Sequence, residues 1–327
     1  MALVLREKHV RSLLSMHDTM LVLEEAFCSQ LQGMAVNQPR IRMMFPNSVM
    51  NMLAAAIPAD PFWVMGFKTY TAFREGVRYV VMLFSAQNGQ LLAIIEASWL
   101  GSMRTGGASA LATRYLARPD STIVGLIGSG KQAVTQLMGI CNLYPSYALC
   151  PISCVYVYSR DARKCEIFCQ EMTRVLNVDV VPVSSARQAV ESADILITAT
   201  TSWEPVFRGE WLKPGCHINA IGSNWAQRRE LDLTTLDRCS LITTDSIEQA
   251  RTEAGDFIIP ADEGLFDWPR VHSLAEIMGP GCLRRETPEA ITLYKGLGIA
   301  LEDIATAAHI YCLALREGLG EEVDLLS

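Results

Sequence analysis

The 327-residue sequence lacks several features that would place it in a specialised class of protein. It contains no C-x-x-C pair, no internal repeat and no apolar run of the roughly 18 residues that a membrane span requires. The apolar N-terminal stretch is interrupted by the charged Arg6, so we expect no secretory signal. A formal net charge of −7 argues against nucleic acid or an anionic membrane surface as the main partner. These absences favour a globular protein of a reducing, cytoplasmic compartment.

The composition is that of a chain with a large core. Half of the residues are hydrophobic and 19% are charged, and the length suffices for two domains. Ten cysteines are present. Cys165 and Cys169 stand one helical turn apart without a nearby histidine, which favours a buried helix face over metal ligation. We expect no metal site.

A glycine loop stands out in "STIVGLIGSGKQAVTQ", residues 121 to 136. It has the form G-x-G-x-x-A, in which the first glycine permits a tight turn, the second admits a pyrophosphate and the alanine allows close helix packing. No G-K-[S/T] follows, which excludes a nucleotide-triphosphate loop. The alternative is a glycine turn without a ligand. The loop predicts dinucleotide contacts from Gly128, Ser129, Gly130, Gln132 and Ala133.

The alternation of elements differs between the two parts of the chain. Before the break "ARPDST" (117 to 122), the patterns predict a helix over 15–33, a hairpin at Asn88-Gly89 and a helix of small residues after Arg104 that lets another backbone approach. After it, short apolar strands alternate with helices, which indicates a parallel sheet covered on both faces. The predicted strands are "TIVGLIG", "CVYVYS", "VDVVPV", "ADILITAT", "CHINAIGS" and "CSLITTD", and the segment before the last helix is predicted as a loop.

The end of the second of these strands indicates which dinucleotide is bound. An acidic residue there accepts a hydrogen bond from the ribose 2′-hydroxyl of NAD, whereas an arginine accommodates the 2′-phosphate of NADP. The sequence has Ser159 and Arg160, with Asp161 expected to cap the next helix. NADP(H) is therefore the preferred cofactor, with NAD(H) possible. The spacing from Gly128 exceeds the usual one of roughly 20 residues, and we attribute the excess to a loop insertion at "NLYPSYALCP".

Four cations of the N-terminal half lie in apolar or tightly packed surroundings: Lys68, Arg104, Arg40 and Arg42. A cation held in a core without a counter-charge is costly, so each is expected to meet an anion. One interpretation is ordinary ion pairing and long stems that reach solvent. The other is a pocket for a small carboxylate, with arginine as a bidentate clamp and lysine as a point charge.

The sequence as a whole resembles the ornithine cyclodeaminase/μ-crystallin family, whose members use a bound nicotinamide. The resemblance spans nearly the whole chain and includes the stretches "GFKTYT", "GQLLAIIEASWLGSMRTGGASALATRYLAR", "VGLIGSGKQAVTQ", "VYSRD", "ADILITATTSWEPVF", "KPGCHINAIGSN", "RRELD", "TEAGD" and "ITLYKGLGIALED". It implies an α/β fold in which a Rossmann-type, doubly wound dinucleotide-binding domain (119–293) is inserted into an α+β substrate-binding and dimerisation domain (1–118 with 294–327). A homodimer is implied as well.

The resemblance also implies roles for single residues. Lys68 and Arg104 occupy the places of the family's substrate-carboxylate lysine and arginine; a further arginine corresponds to Arg42 or Arg40, and counting back from Pro46 favours Arg42. The cofactor contacts implied outside the glycine loop are Thr105 at the phosphates, Gly222 and Ser223 along the nicotinamide, Lys295 in a loop closing over the cofactor, and Thr200.

Asn224 departs from the cyclodeaminase pattern, which carries an aspartate there as base. An amide cannot take up a proton at neutral pH, although it can hydrogen-bond an amine or imine, or simply face water. The sequence therefore predicts NADP(H)-dependent reduction of a small cyclic or linear 2-imino acid, or the reverse oxidation of the amino acid. Lys68 or a water would deliver the proton. The alternatives are an ornithine cyclodeaminase-type lyase and a non-catalytic crystallin-like binding protein.

Overall fold

The computed structural model describes residues 1–59, 62–143, 151–279 and 281–325. Two compact units are present, Met1–Arg104 with Gly298–Ser327, and Thr105–Leu297. The sequence analysis placed the corresponding boundaries after residues 118 and 293. The loop insertion expected at "NLYPSYALCP" lies mostly outside the described residues.

The first unit is built on a seven-stranded mixed sheet. Its strand order is β15-β1-β6-β5-β4-β3-β2; β1 and β6 run parallel, and the other neighbours are antiparallel. The strands are β1 (Ala2–Leu5), β2 (Val36–Phe45), β3 (Ser48–Ala59), β4 (Phe62–Phe73), β5 (Gly76–Ser85), β6 (Leu91–Glu96) and β15 (Glu321–Val323).

Helices of the first unit supply the rest of its core. They are α1 (Glu7–Leu13), α2 (Met16–Leu31), the first two turns of α3 (Ser98–Leu116) and α10 (Ala300–Glu317). Ser15 caps α2 by accepting from the Asp18 N–H, and Gly33 follows the helix at φ +71°. Ile304 of α10 reaches Gly66 of β4, where any side chain would collide with the carbonyl of Met82. This close approach brings the first turn of α10 onto the sheet.

The second unit contains an eight-stranded, wholly parallel sheet of order β13-β12-β14-β11-β10-β7-β8-β9. After β9 the chain returns to β10 beside β7, so the order reverses between these strands, which is where ligands bind in doubly wound sheets. The strands are β7 (Ile123–Ile127), β8 (Cys154–Tyr158), β9 (Asp179–Pro182), β10 (Ile195–Thr198), β11 (His217–Ala220), β12 (Cys239–Thr244), β13 (Val271–Ser273) and β14 (Ile291–Lys295).

The helices of the second unit alternate with its strands. They are the remainder of α3, then α4 (Lys131–Cys141), α5 (Ala162–Leu176), α6 (Ala186–Glu191), α7 (Leu233–Arg238), α8 (Ile247–Glu253) and α9 (Gly255–Asp262). Cys165 and Cys169 are buried on α5, as the sequence predicted. A Cβ at Gly106 of α3 would collide with the carbonyl of Thr135 on α4, which confirms that the small residues of α3 admit another backbone. Within the described ranges, no helix has the length and apolar character to cross a bilayer.

The six strands predicted for the second unit and the hairpin at Asn88-Gly89 are confirmed. Two strands of the second unit were missed. β13 has only three residues, and the segment before α10 was predicted as a loop although Ile291–Lys295 forms β14, a central strand between β11 and β12.

Candidate functional site

A buried cluster of charged side chains joins β4, α3 and α10 of the first unit. Lys68 Nζ lies 2.9 Å from Asp303 Oδ1, and Arg104 Nε donates to that same oxygen at 2.9 Å. Arg104 Nη1 also donates to Glu302 Oε2 at 2.7 Å. The chain positions these groups through alternation on β4 and through the first turn of α10, where adjacent acidic residues also favour the helix dipole.

Arg40 is linked to this cluster through Gly298. Its Nη2 donates to the Gly298 carbonyl at 2.7 Å, and a Cβ at Gly298 would collide with the Arg104 guanidinium. Gly298 also has φ +75°, a backbone conformation that favours glycine. Glycine at this position therefore leaves room for two guanidinium groups beside one another. Among the described residues, the cluster contains three cations, Arg40, Lys68 and Arg104, and two carboxylates, Glu302 and Asp303.

Arg42 lies on the same face of the sheet. Cross-strand pairs place Arg42 opposite Asn51, Asn51 opposite Tyr70 and Tyr70 opposite Tyr79, and paired residues share a face. Arg42 Nε donates to Asn51 Oδ1 at 3.2 Å. The rings of Tyr70 and Tyr79 are 5.0 Å apart, and Lys68 Nζ lies 5.8 and 5.5 Å from their centroids. The face thus combines cations with an aromatic pair.

Burial lowers the pKa of Lys68 to about 8. The Asp303 carboxylate opposes that fall, whereas the charges of Arg104 and Arg40 add to it. Burial also raises the pKa of the neighbouring Tyr79. A lysine with such a pKa can give or take a proton near neutral pH, the property that the sequence hypothesis required of Lys68.

Glu302 and Asp303 are site residues that the sequence analysis missed. Both are buried on α10, far along the chain from the cations they contact. The available signal was a pair of adjacent acids at the start of an otherwise apolar helix.

A cleft of about 510 Å³ lies in the second unit at the carboxyl ends of β7, β8 and β10. Gly128 has φ +108°, and a Cβ there would lie 2.5 Å from the Ala199 carbonyl oxygen. Gly130 begins α4, with open space where a side chain would stand. The turn therefore offers backbone N–H groups and room for a pyrophosphate, so these residues fit a dinucleotide. Expected residues that line the cleft are Gly128, Ser129, Gly130, Ser159, Arg160 and Thr200.

Two exposed cations lie beyond β8, Arg160 just after the strand and Lys164 in the first turn of α5. Arg160 and Lys164 both line the cleft, together with Asp161. Asp161 caps α5, as predicted: its Oδ1 accepts from the Lys164 N–H at 3.0 Å, and its Oδ2 lies 3.3 Å from Lys164 Nζ. The carboxylate nearest to the strand end is thus engaged by the helix.

A family model described as the ornithine cyclodeaminase/mu-crystallin family matches residues 1–317. The chain belongs to this family. The resemblance inferred from the sequence and the α/β, Rossmann-type fold are therefore confirmed.

Three relatives illustrate what this member of the family is similar to. Thermococcus litoralis Delta(1)-pyrroline-2-carboxylate reductase, in complex with NADH and L-proline, is 34% identical, with a TM-score of 0.90 over 98% of this chain and 100% of that chain. An archaeal alanine dehydrogenase dimer with bound NAD is 28% identical, with a TM-score of 0.91 over 99% of each chain. The ketimine reductase mu-crystallin of Macropus fuliginosus is 33% identical over 231 residues, 71% of this chain and 68% of that protein.

Lys295 does not lie in a loop, contrary to what the family resemblance implied. It is the last residue of β14, fully buried, and its Nζ lies 2.7 Å from Asp256 Oδ2. The strand runs one residue further than its apolar stretch because the Asp256 carboxylate neutralises the buried ammonium. Lys295 is therefore part of the interior of this family member.

The other expected cofactor residues lie outside the lining of the cleft, as far as the described residues show. Gln132 and Ala133 form the first turn of α4, where Ala133 is buried, and the Thr105 carbonyl accepts from Gln136 of that helix. Gly222 and Ser223 follow β11, with Asn224 half-buried after them. The residues that make no lining contact are Thr105, Gln132, Ala133, Gly222, Ser223 and Lys295.

Proposed function

We propose that this protein is an NADP(H)-dependent oxidoreductase that reduces a small 2-imino acid, cyclic or linear, to the amino acid or catalyses the reverse oxidation. The observation that carries the proposal is the cluster of Arg40, Lys68 and Arg104. Within the described part of the chain, its three positive charges stand against the two negative charges of Glu302 and Asp303. A substrate carboxylate would balance the remaining charge. The relatives that act on pyrroline-2-carboxylate and on ketimines support the same substrate class.

In this proposal the cluster binds and orients the substrate. Arg104 is held from two sides by Glu302 and Asp303, so its guanidinium is fixed before the carboxylate arrives, and less binding energy is lost in ordering it. For the third residue that would bind the substrate carboxylate, the contacts favour Arg40. Arg42 is the next cation along the same face of the sheet. When bound, the nicotinamide supplies or accepts the hydride.

Lys68 would hold the proton that the imine nitrogen takes up. The Asp303 carboxylate fixes its ammonium, and the pKa of about 8 leaves it protonated at neutral pH yet able to release the proton. Lys68 is only 2% exposed, which limits the access of water to the ammonium.

The experiment that tests this function is a substrate panel followed at the NADPH absorbance. The panel contains five- and six-membered cyclic imines bearing a carboxylate, and linear 2-oxo acids supplied with ammonia. We expect net NADPH oxidation with at least one imine. Ammonia release without net cofactor turnover would indicate the lyase, and ligand binding without turnover would indicate a crystallin-like protein.

The pair Ser159-Arg160 predicts a preference for NADPH over NADH. Two cations, Arg160 and Lys164, stand in the cleft, and the nearby carboxylate caps α5, so a 2′-phosphate meets net positive charge there. Arg160→Asp should reverse or abolish the preference, weakening NADPH binding by about tenfold or more. Fluorescence titration with both cofactors measures this. Equal affinities of the native protein for NADPH and NADH would contradict it.

Asn224 predicts that the native protein forms little or no proline from ornithine. Cyclisation requires a base for the distal amine, and an amide cannot act as one. Imine reduction needs only one proton, which Lys68 can give. Asn224→Asp should therefore lower the reductase rate less than Lys68→Met does and should introduce slow ammonia release. The measurement is ammonia and proline formed from ornithine with catalytic NADP⁺. Rapid turnover by the native chain would favour the lyase.

The outer face of the first sheet predicts a homodimer. Ile41 and Met43 of β2 and Trp63 and Met65 of β4 are 40 to 62% exposed, on the face of the sheet opposite Lys68. An apolar face of this kind suits a second copy of the same chain, and the archaeal alanine dehydrogenase relative is a dimer. Light scattering should give twice the chain mass for the native protein and a lower mass for Met43→Lys. A monomeric native protein would contradict the prediction.

A further inference from the structure

Glu230 is a buried carboxylate that joins the carboxyl ends of β10 and β11 within the second unit. Its Oε1 accepts from both the N–H and the hydroxyl of Thr200, at 2.8 and 2.7 Å. Its Oε2 accepts from the Gly222 N–H at 2.7 Å and from the Thr198 hydroxyl at 2.9 Å. Four donors from two neighbouring strands thus converge on one fully buried side chain.

The backbone of Glu230 is itself fixed. Asp256 Oδ1 accepts from the N–H groups of Glu230 and Leu231, at 2.7 and 2.9 Å. The other oxygen of Asp256 lies 2.7 Å from Lys295 Nζ at the end of β14. A continuous series of buried charged groups therefore links the ends of β10, β11 and β14, which are adjacent in the sheet.

This series reaches the cofactor cleft at Thr200, which lines it. Gly222 packs directly on the Thr200 backbone, where any side chain would collide. In the strand order β8-β7-β10-β11, the residues after β8 meet the adenosine half of a dinucleotide and the glycine loop after β7 meets the pyrophosphate. The loops after β10 and β11, which Glu230 holds together, come next in that order.

We propose that Glu230 is a positioning residue for the nicotinamide half of the cofactor. It acts by fixing Thr200 and Gly222-Ser223 relative to the glycine loop. The inference rests on the proposed function only in requiring that the protein binds a nicotinamide dinucleotide.

The charge of Glu230 matters because all four of its partners are donors in this arrangement. A glutamine at this position has one accepting oxygen and one donating nitrogen. Whichever way its amide is turned, either the Thr200 N–H or the Gly222 N–H faces the amide NH₂ and loses its acceptor. One of the two loops must then move, while the size of the side chain is unchanged.

The test compares two ligands on Glu230→Gln. NADPH spans both halves of the proposed site, whereas adenosine 2′,5′-bisphosphate reaches only the adenosine half near Ser159 and Arg160. We expect the dissociation constant of NADPH to rise by about tenfold, the effect of leaving one buried donor without a partner. The dissociation constant of the bisphosphate should stay at its native value.

Asp194→Asn is the matched control. Asp194 is also buried and accepts from two backbone N–H groups, those of Thr122 and Ile123, both at 2.9 Å, but it lies at the opposite, amino edge of the same sheet. It also binds Arg118 and Lys213. We expect this variant to lower the melting temperature while it leaves both dissociation constants unchanged, so a loss of stability alone is separated from positioning.

Two results of this comparison would overturn the inference: an unchanged dissociation constant of NADPH in Glu230→Gln, or an equal rise for NADPH and the bisphosphate. If Glu230→Gln does not fold, Thr198→Val removes one donor without a change of shape and should weaken NADPH binding alone, by roughly threefold. A native protein that binds NADPH but reduces no imine would refute the proposed function and leave this test intact. A native protein that binds no nicotinamide nucleotide would overturn both.

Discussion

Arg104→Ala is expected to lower kcat/KM for the imine substrate. The loss should correspond to about 2 to 5 kcal/mol of transition-state binding energy, the cost of truncating one partner of a buried charge pair. The variant removes the carboxylate clamp and leaves Glu302 without the guanidinium that it accepts from at 2.7 Å. Steady-state kinetics measure the loss. The affinity for NADPH should change little, because Arg104 belongs to the cluster of the first unit rather than to the dinucleotide cleft.

Arg114→Ala is the control for this prediction. Arg114 is on the same helix and half-buried, with its guanidinium 5.2 Å from the ring of Tyr115. Its truncation should leave kcat/KM near the native value. If Arg104→Ala and Lys68→Met both kept near-native kcat/KM, the substrate would have to bind elsewhere.

Lys68→Met is expected to lower the rate of reduction by roughly 10² to 10⁴-fold, the usual contribution of a positioned acid. The pH dependence provides a second measurement. Because burial lowers the pKa of Lys68 to about 8, the proton donor is present below that pH and lost above it. For the native protein, kcat/KM for reduction should fall as the pH rises through about 8, and in the oxidative direction it should rise over the same interval.

Two further variants separate the charge of Lys68 from its proton. Lys68→Arg retains a cation beside Asp303 but cannot release a proton near neutral pH, so it should keep more of the substrate affinity than of the rate. Lys8→Met, an exposed lysine of the same unit, is the control and should leave the profile unchanged. A Lys68→Met variant whose profile still fell near pH 8 would show that another group, or a water, gives the proton.

The sequence was informative wherever a local pattern determined the structure. The strand that breaks at Gly128 and restarts as α4, the hairpin at Asn88-Gly89 and the cap at Asp161 each depend on residues close together in the chain. The cations were also identifiable, since Lys68 and Arg104 stand in apolar or tightly packed segments.

The partners of those cations could not be predicted because they lie far away in the chain. Asp303 meets Lys68 and Arg104 only once α10 has packed on the sheet, and no local pattern specifies that register. Lys295 shows the same limit: the family resemblance implied a loop, but Asp256 allows it to end a buried strand. Arg40 likewise meets the cluster through Gly298, a contact that counting along the N-terminal half could not reveal.

The most direct test of the central claim is the stoichiometry of the native protein with NADPH and pyrroline-2-carboxylate, the five-membered cyclic imine of the panel. NADPH loss is followed by absorbance, and proline is quantified in the same samples. Reduction of this class of substrate predicts one proline formed for each NADPH oxidised, and no ammonia from ornithine under matched conditions. Ammonia and proline from ornithine without net loss of the nucleotide, together with no oxidation of NADPH by any imine of the panel, would contradict it.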